Sequence, residues 1–156
     1  VPRKGKIPTN REGNMKLHSH SYKRDALKKV PLFSNLNKRS LDDISKIADE
    51  VEVPAGKVLA KQGTLGLEFT FILEGEARVE KDGKVINRLS ANDFYGEIAI
   101  IDRKPRTATV IAETDMKLLV VHSRFFQPLL EKTPGLANQL IIALCKYVRE
   151  AESKHA

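Results

Sequence analysis

The chain has 156 residues, 41% hydrophobic and 30% charged, a length and balance that suit one soluble globular domain and exclude two full-sized ones. No apolar run approaches the ~20 residues that span a bilayer, no secretory leader opens the chain, and the lone Cys145 allows no internal disulfide, so a cytoplasmic location is expected. The net charge of +7 is concentrated, because residues 1–40 hold 11 Lys and Arg against Glu12 and Asp25, while the rest of the chain carries −2.

Residues 1–21 are basic, scattered with Pro2, Gly5, Pro8 and Gly13, and free of apolar periodicity and aromatic interleaving. That composition predicts a flexible tail, with contact to an anionic surface as its functional option. Two helical patterns follow. Tyr22–Val30 ends before Pro31, and Ser40–Asp49 places Leu41, Ile44, Ile47 and Ala48 on one face behind a capping Ser40. From Val51 the apolar period shortens to alternation, predicting strands at Val58–Ala60, Phe69–Leu73, Ala77–Val79, Val85–Leu89, Thr107–Ile111 and Leu118–Val121. Gly-containing turns separate them, including an Asp82-Gly83 pair suited to the positive φ angles of a tight hairpin. After Ser123 the helical period returns and is interrupted once, at Thr133-Pro134-Gly135. The fold class is therefore mainly β with flanking α-helices: helices over 22–49, a β barrel over 51–122 and C-terminal helices over 123–152, all in a single domain spanning 22–156.

The run Phe94-Tyr95-Gly96-Glu97-Ile98-Ala99, followed after five residues by Pro105-Arg106-Thr107-Ala108-Thr109-Val110, carries the chemistry. Gly96 permits an unusual backbone angle and close ligand approach, and Glu97–Asp102 can form one or two helical turns whose free N–H groups suit an anion. Pro105 is expected to stop that helix and Arg106 to begin a strand, its guanidinium free to pair with a phosphate oxygen. A carboxylate beside a phosphate site makes sense for a ligand with an anionic end and a hydroxyl-bearing sugar, with Glu97 accepting from the hydroxyl. Taken as two residues alone, Glu97 and Arg106 also fit an ordinary surface ion pair. No catalytic or metal-binding constellation accompanies them: His18, His20, His122 and His155 lack ligand spacing and Cys145 sits on an apolar stripe, so neither enzyme activity nor a metal or other cofactor is expected.

F-Y-G-E-I-A with P-R-T-A-T-V resembles the phosphate-binding cassette of the cyclic-nucleotide-binding domain family. The resemblance extends through V-P-A-G-K-V-L, K-Q-G, F-I-L-E-G-E-A-R-V and D-G-K-V-I-N-R-L, and covers roughly Val30–Glu150. It implies a jelly-roll β barrel (double-stranded β-helix), with the cyclic phosphate held by Arg106 and by backbone N–H groups of Ile98, Ala99 and Ala108. Thr107 would lie beside phosphate or base, and Gly96 with Glu97 would hold the ribose 2′-hydroxyl. Ile86 and Asn87 would line the base pocket, and the helix from Leu136 would supply a lid capped by Tyr147, Val148 or Ala151. The implied function is a non-catalytic sensor of cAMP, with cGMP as the alternative ligand, that signals by movement of the C-terminal helix to an unknown effector protein or fused output domain. The competing reading keeps the fold as a nucleotide-free interaction scaffold; a buried Arg106 left without its anion argues against it. Family members often have Gly where this chain has Asn92, and Asn tolerates the left-handed conformation needed there. Sequence-specific DNA binding is not expected. The stripe Leu136, Leu140, Leu144 and Val148, with Ile141 and Tyr147 alongside, could cover the barrel or pair with a second copy, and a monomer is preferred.

Overall fold

The computed structural model describes residues 20–154. Most of the basic tail expected over 1–21 lies outside the described residues, as does His155; helix α1 (His20–Lys28) begins two residues earlier than the periodicity indicates. Helix α2 (Lys38–Ile47) is capped by Asn37, whose side chain accepts from the Ser40 N–H at 2.8 Å, so Ser40 lies inside the first turn and is not the cap. The two helices are tied by Arg24 to Asp42 at 3.4 Å, and Lys23 donates to the Ala48 carbonyl at 2.8 Å. The helix expected to run to Asp49 gives way at Ala48 to strand β1 (Ala48–Val53), which the ladder with the strand ending at His122 draws into extended form.

The strands are β1, β2 (Val58–Ala60), β3 (Glu68–Glu74), β4 (Ala77–Lys81), β5 (Lys84–Leu89), β6 (Phe94–Tyr95), β7 (Thr109–Ala112) and β8 (Met116–His122). Helix α3 (Glu97–Asp102) separates β6 from β7, and α4 (Ser123–Lys132) and α5 (Pro134–Lys154) follow β8. The strands form two four-stranded sheets, ordered β1-β8-β3-β6 and β2-β7-β4-β5, with every pairing antiparallel. The expected mainly β jelly-roll with flanking helices is present as a sandwich of two antiparallel sheets that are not closed into a barrel. Among the described residues no ladder joins the edges β1 and β6 of one sheet to the edges β2 and β5 of the other.

Alternation divides the interior. Val53, Leu59, Ile72, Ala77, Val110, Met116 and Leu118 fill the space between the sheets. Phe69, Phe71, Leu119 and Val121 face the helices and pack with Leu27, Phe33, Ile44, Phe126, Leu136 and Leu140. The second core is aromatic at its centre: Phe69 stacks on Phe126 at 4.5 Å and on Phe94 at 5.3 Å, and Phe33 meets Phe71 at 4.7 Å. His122 ends β8 and caps α4, its Nδ1 accepting from the Arg124 N–H at 3.1 Å. On α5, Leu136 and Leu140 are buried and Leu144 and Tyr147 pack against the same core, whereas Ile141 and Val148 face away from it. One predicted stripe is therefore two faces.

Candidate functional site

Asn92 adopts φ 76°, the left-handed turn its position requires, and its N–H returns to the Ile72 carbonyl at 2.9 Å. The chain then runs through β6 alongside β3 and turns at Gly96, where φ is 100° and a Cβ would collide with the Glu68 carbonyl oxygen. Only glycine fits that turn. Helix α3 begins at the next residue and spans Glu97–Asp102 as the sequence predicts. It ends through Arg103 at φ 59°, with Asp102 accepting from the Lys104 N–H at 2.9 Å, so Pro105 lies beyond a terminus already made. Arg106 does not begin a strand. Its N–H donates to Thr64 and its carbonyl accepts from Gly63, at 2.8 and 2.9 Å, and the ladder of β7 starts only at Thr109.

These turns gather one cavity of about 550 Å³, partly open to solvent. The cassette contributes Gly96, Glu97, Ile98, Ala99, Arg106, Thr107 and Ala108; the β4–β5 hairpin contributes Ile86 and Asn87; α5 contributes Tyr147 and Ala151. Val148 is the one expected site residue outside the lining. A helix turns about 100° per residue, so with Tyr147, Glu150 and Ala151 facing the cavity, Val148 points to solvent at 55% exposure. Val79, Lys81, Tyr95 and Glu150 also line the cavity and were not singled out by sequence. The period of two along β4 and the i, i+3, i+4 spacing from Tyr147 were the signals for three of them.

Glu97 is only 4% exposed, and its Oε2 has no hydrogen-bond partner among the described residues. Burial pushes its carboxyl up to about 7, against the lowering influence of its own backbone hydrogen bond and of the Arg106 guanidinium. Burial likewise raises Tyr95, to about 12. It also raises Tyr147, whose ring lies 6.0 Å from that of Phe94, with the carboxylates of Glu97, Asp93 and Glu150 adding to the effect. Arg106 is half-buried, not fully buried as expected; its guanidinium donates to the Glu68 carbonyl at 3.5 Å and makes no ion pair among the described residues. A cation free of a counter-ion, a buried acceptor free of a donor and the first-turn N–H groups of α3 therefore border one cavity. The described residues hold no cluster of side chains suited to a metal and no helix long and apolar enough to cross a membrane.

Comparison with known proteins shows the family and the fold. Residues 50–133 match the family model of the cyclic nucleotide-binding domain. A cyclic nucleotide-gated potassium channel from Rhizobium etli is 36% identical over 111 residues, and a cAMP-dependent protein kinase regulatory subunit from Schizosaccharomyces pombe is 38% identical over 105, covering 71% and 67% of this chain. The matched regions span 31% and 26% of those two proteins. The regulatory domain of Toxoplasma gondii PKA with cAMP superposes at a TM-score of 0.72 over 84% of this chain and 50% of its own, with 24% identity, a likeness of fold. This chain belongs to the cyclic nucleotide-binding domain family.

Proposed function

We propose that the chain is a regulatory cAMP-binding domain in which Arg106 pairs with the cyclic phosphate and Glu97 accepts a hydrogen bond from the ribose 2′-hydroxyl. The observation that carries this reading is the unpartnered Oε2 of buried Glu97 on the same cavity as Arg106. A buried carboxylate oxygen without a donor is costly, and a sugar hydroxyl is the donor this site lacks. The backbone N–H groups of Ile98, Ala99 and Ala108 complete the phosphate seat, with Thr107 at its exposed edge, and Ile86, Asn87, Tyr147 and Ala151 border the base. The relatives named above support the ligand class: one carries cyclic nucleotide gating in its name, and the Toxoplasma domain holds cAMP. The larger size of the relatives fits a domain that passes its signal to a fused or separate effector in the cytoplasm.

Signalling in this reading is a population shift in α5. Its first half is fixed by buried Leu136 and Leu140, while the half carrying Tyr147, Glu150 and Ala151 borders the ligand and is largely exposed, so nucleotide contact biases the placement of that half alone. The assignment of Glu97 is tested by titrating the chain with cAMP and with 2′-deoxy-cAMP, alongside Glu97→Gln. Wild type should prefer cAMP by about tenfold or more, in line with a charge-assisted hydrogen bond, and Glu97→Gln should remove most of that preference. Equal preference in both proteins would place the ribose elsewhere. Titration with cGMP in parallel ranks the two bases, with cAMP expected to bind more tightly.

A further inference from the structure

Residues 61–67, between β2 and β3, contribute nothing to the lining of the cavity, yet the loop they open is bonded to both of its walls. The Gln62 carboxamide grips a single residue twice: Nε2 donates to Asp82 Oδ1 at 2.9 Å, and Oε1 accepts from the Asp82 N–H at 3.0 Å. Asp82 and Gly83, at φ 52° and 80°, are the central residues of the tight β4–β5 turn. One donor and one acceptor in a plane are what a carboxamide offers, and a carboxylate cannot supply both. On the other side, the Gln62 N–H donates to Thr109 Oγ1 at 2.9 Å, and Gly63 and Thr64 make the two backbone bonds to Arg106. The loop is closed on itself by Thr64, whose hydroxyl donates to the Lys61 carbonyl at 2.6 Å. Arg106 lies in an irregular stretch without ladder bonds, so these two contacts are what fix its backbone.

We propose that Gln62 is a positioning residue for nucleotide binding: its clasp on the β4–β5 turn holds the loop that places Arg106, keeping the hairpin wall and the phosphate wall of the cavity in register. The proposal rests on the cAMP reading above. The probes are Gln62→Glu, which keeps the acceptor for the Asp82 N–H but sets a carboxylate against a carboxylate, and the double change Gln62→Glu with Asp82→Asn, which restores a donor–acceptor pair with reversed polarity. Asparagine tolerates the positive φ at that position. Three quantities are read on the full chain: the Kd for cAMP, the hydrogen exchange of the Arg106 and Gly63 amides without ligand, and the thermal midpoint. Loss of one bond and its replacement by repulsion should raise Kd about five- to twentyfold in Gln62→Glu. Both amides should exchange faster, with a midpoint within a few degrees of wild type, and the double change should return Kd to within about twofold of wild type. An unchanged Kd in Gln62→Glu, or a loss that the second change does not recover, overturns the clasp. A wild-type chain that binds no nucleotide overturns the cAMP reading and this proposal with it, so the two failures are told apart by the wild-type titration.

Discussion

Glu97 shows how a binding residue weakens the empty fold. Its carboxyl is raised from 4.5 to about 7 by burial, so between those values the folded chain binds a proton more tightly than the unfolded chain does. Stability of the ligand-free protein from this group therefore falls as pH rises from 4.5 to about 7 and stays low above it. Glu97→Gln removes the buried charge, and denaturant titrations at about pH 8 should show it more stable than wild type by as much as ~3 kcal/mol, with little difference near the unfolded value of the carboxyl. A gain at high pH coupled to weaker nucleotide binding is the mark of a residue kept for its ligand. Val148 gives the opposite expectation. It lies outside the cavity, so Val148→Ser should change nucleotide affinity by less than about 0.5 kcal/mol, whereas Tyr147→Ala, at the cavity and against Phe94, should weaken it measurably in the same titration.

At the scale of elements, the cassette depends on close approach between α3 and the segment leading into β3. A Cβ on Gly66 would lie 2.5 Å from the Ala99 Cβ, so Gly66→Ala should push the two apart at a cost of about 1–3 kcal/mol in urea unfolding and should loosen the nucleotide site, because Ala99 lines it. The strands at Val58–Ala60, the glycine turns and α3 itself were legible because alternation, positive-φ residues and a short apolar helix each leave a local mark. What was not legible depends on partners far along the chain. Asp49 reads as helix by periodicity and becomes strand because β8 pairs with it through Val120. Phe94–Tyr95 is too short for any period and exists as β6 only through pairing with Thr70 and Phe71. The cap at Asn37 was missed in favour of Ser40 because both residue types cap helices; Asn37→Ala should cost about 1 kcal/mol in urea unfolding.

For the whole molecule, the two-core arrangement explains how one short motif came to predict a site assembled from distant segments. The aromatic core seats the first half of α5 on the sheet edged by β6, which brings Tyr147 and Ala151 over a cassette some fifty residues earlier in sequence. The phosphate and ribose ends of the site were readable because they lie on one continuous run, whereas the periods that group Lys81 with Val79 and Glu150 with Tyr147 leave open which face meets the cavity, and the packing of hairpin and helix decides it. On α5, Ile141, Ile142 and Val148 remain exposed, and light scattering with and without cAMP checks the expected single-copy mass. The central claim is that an anionic cyclic nucleotide is held by Arg106. Its most direct test is a calorimetric titration of the chain, freed of any co-purified nucleotide, with cAMP, repeated on Arg106→Ala. Saturable binding that weakens by about 2–5 kcal/mol in the variant is the predicted result. Binding that survives Arg106→Ala within tenfold, or no binding by folded wild-type protein, would contradict it.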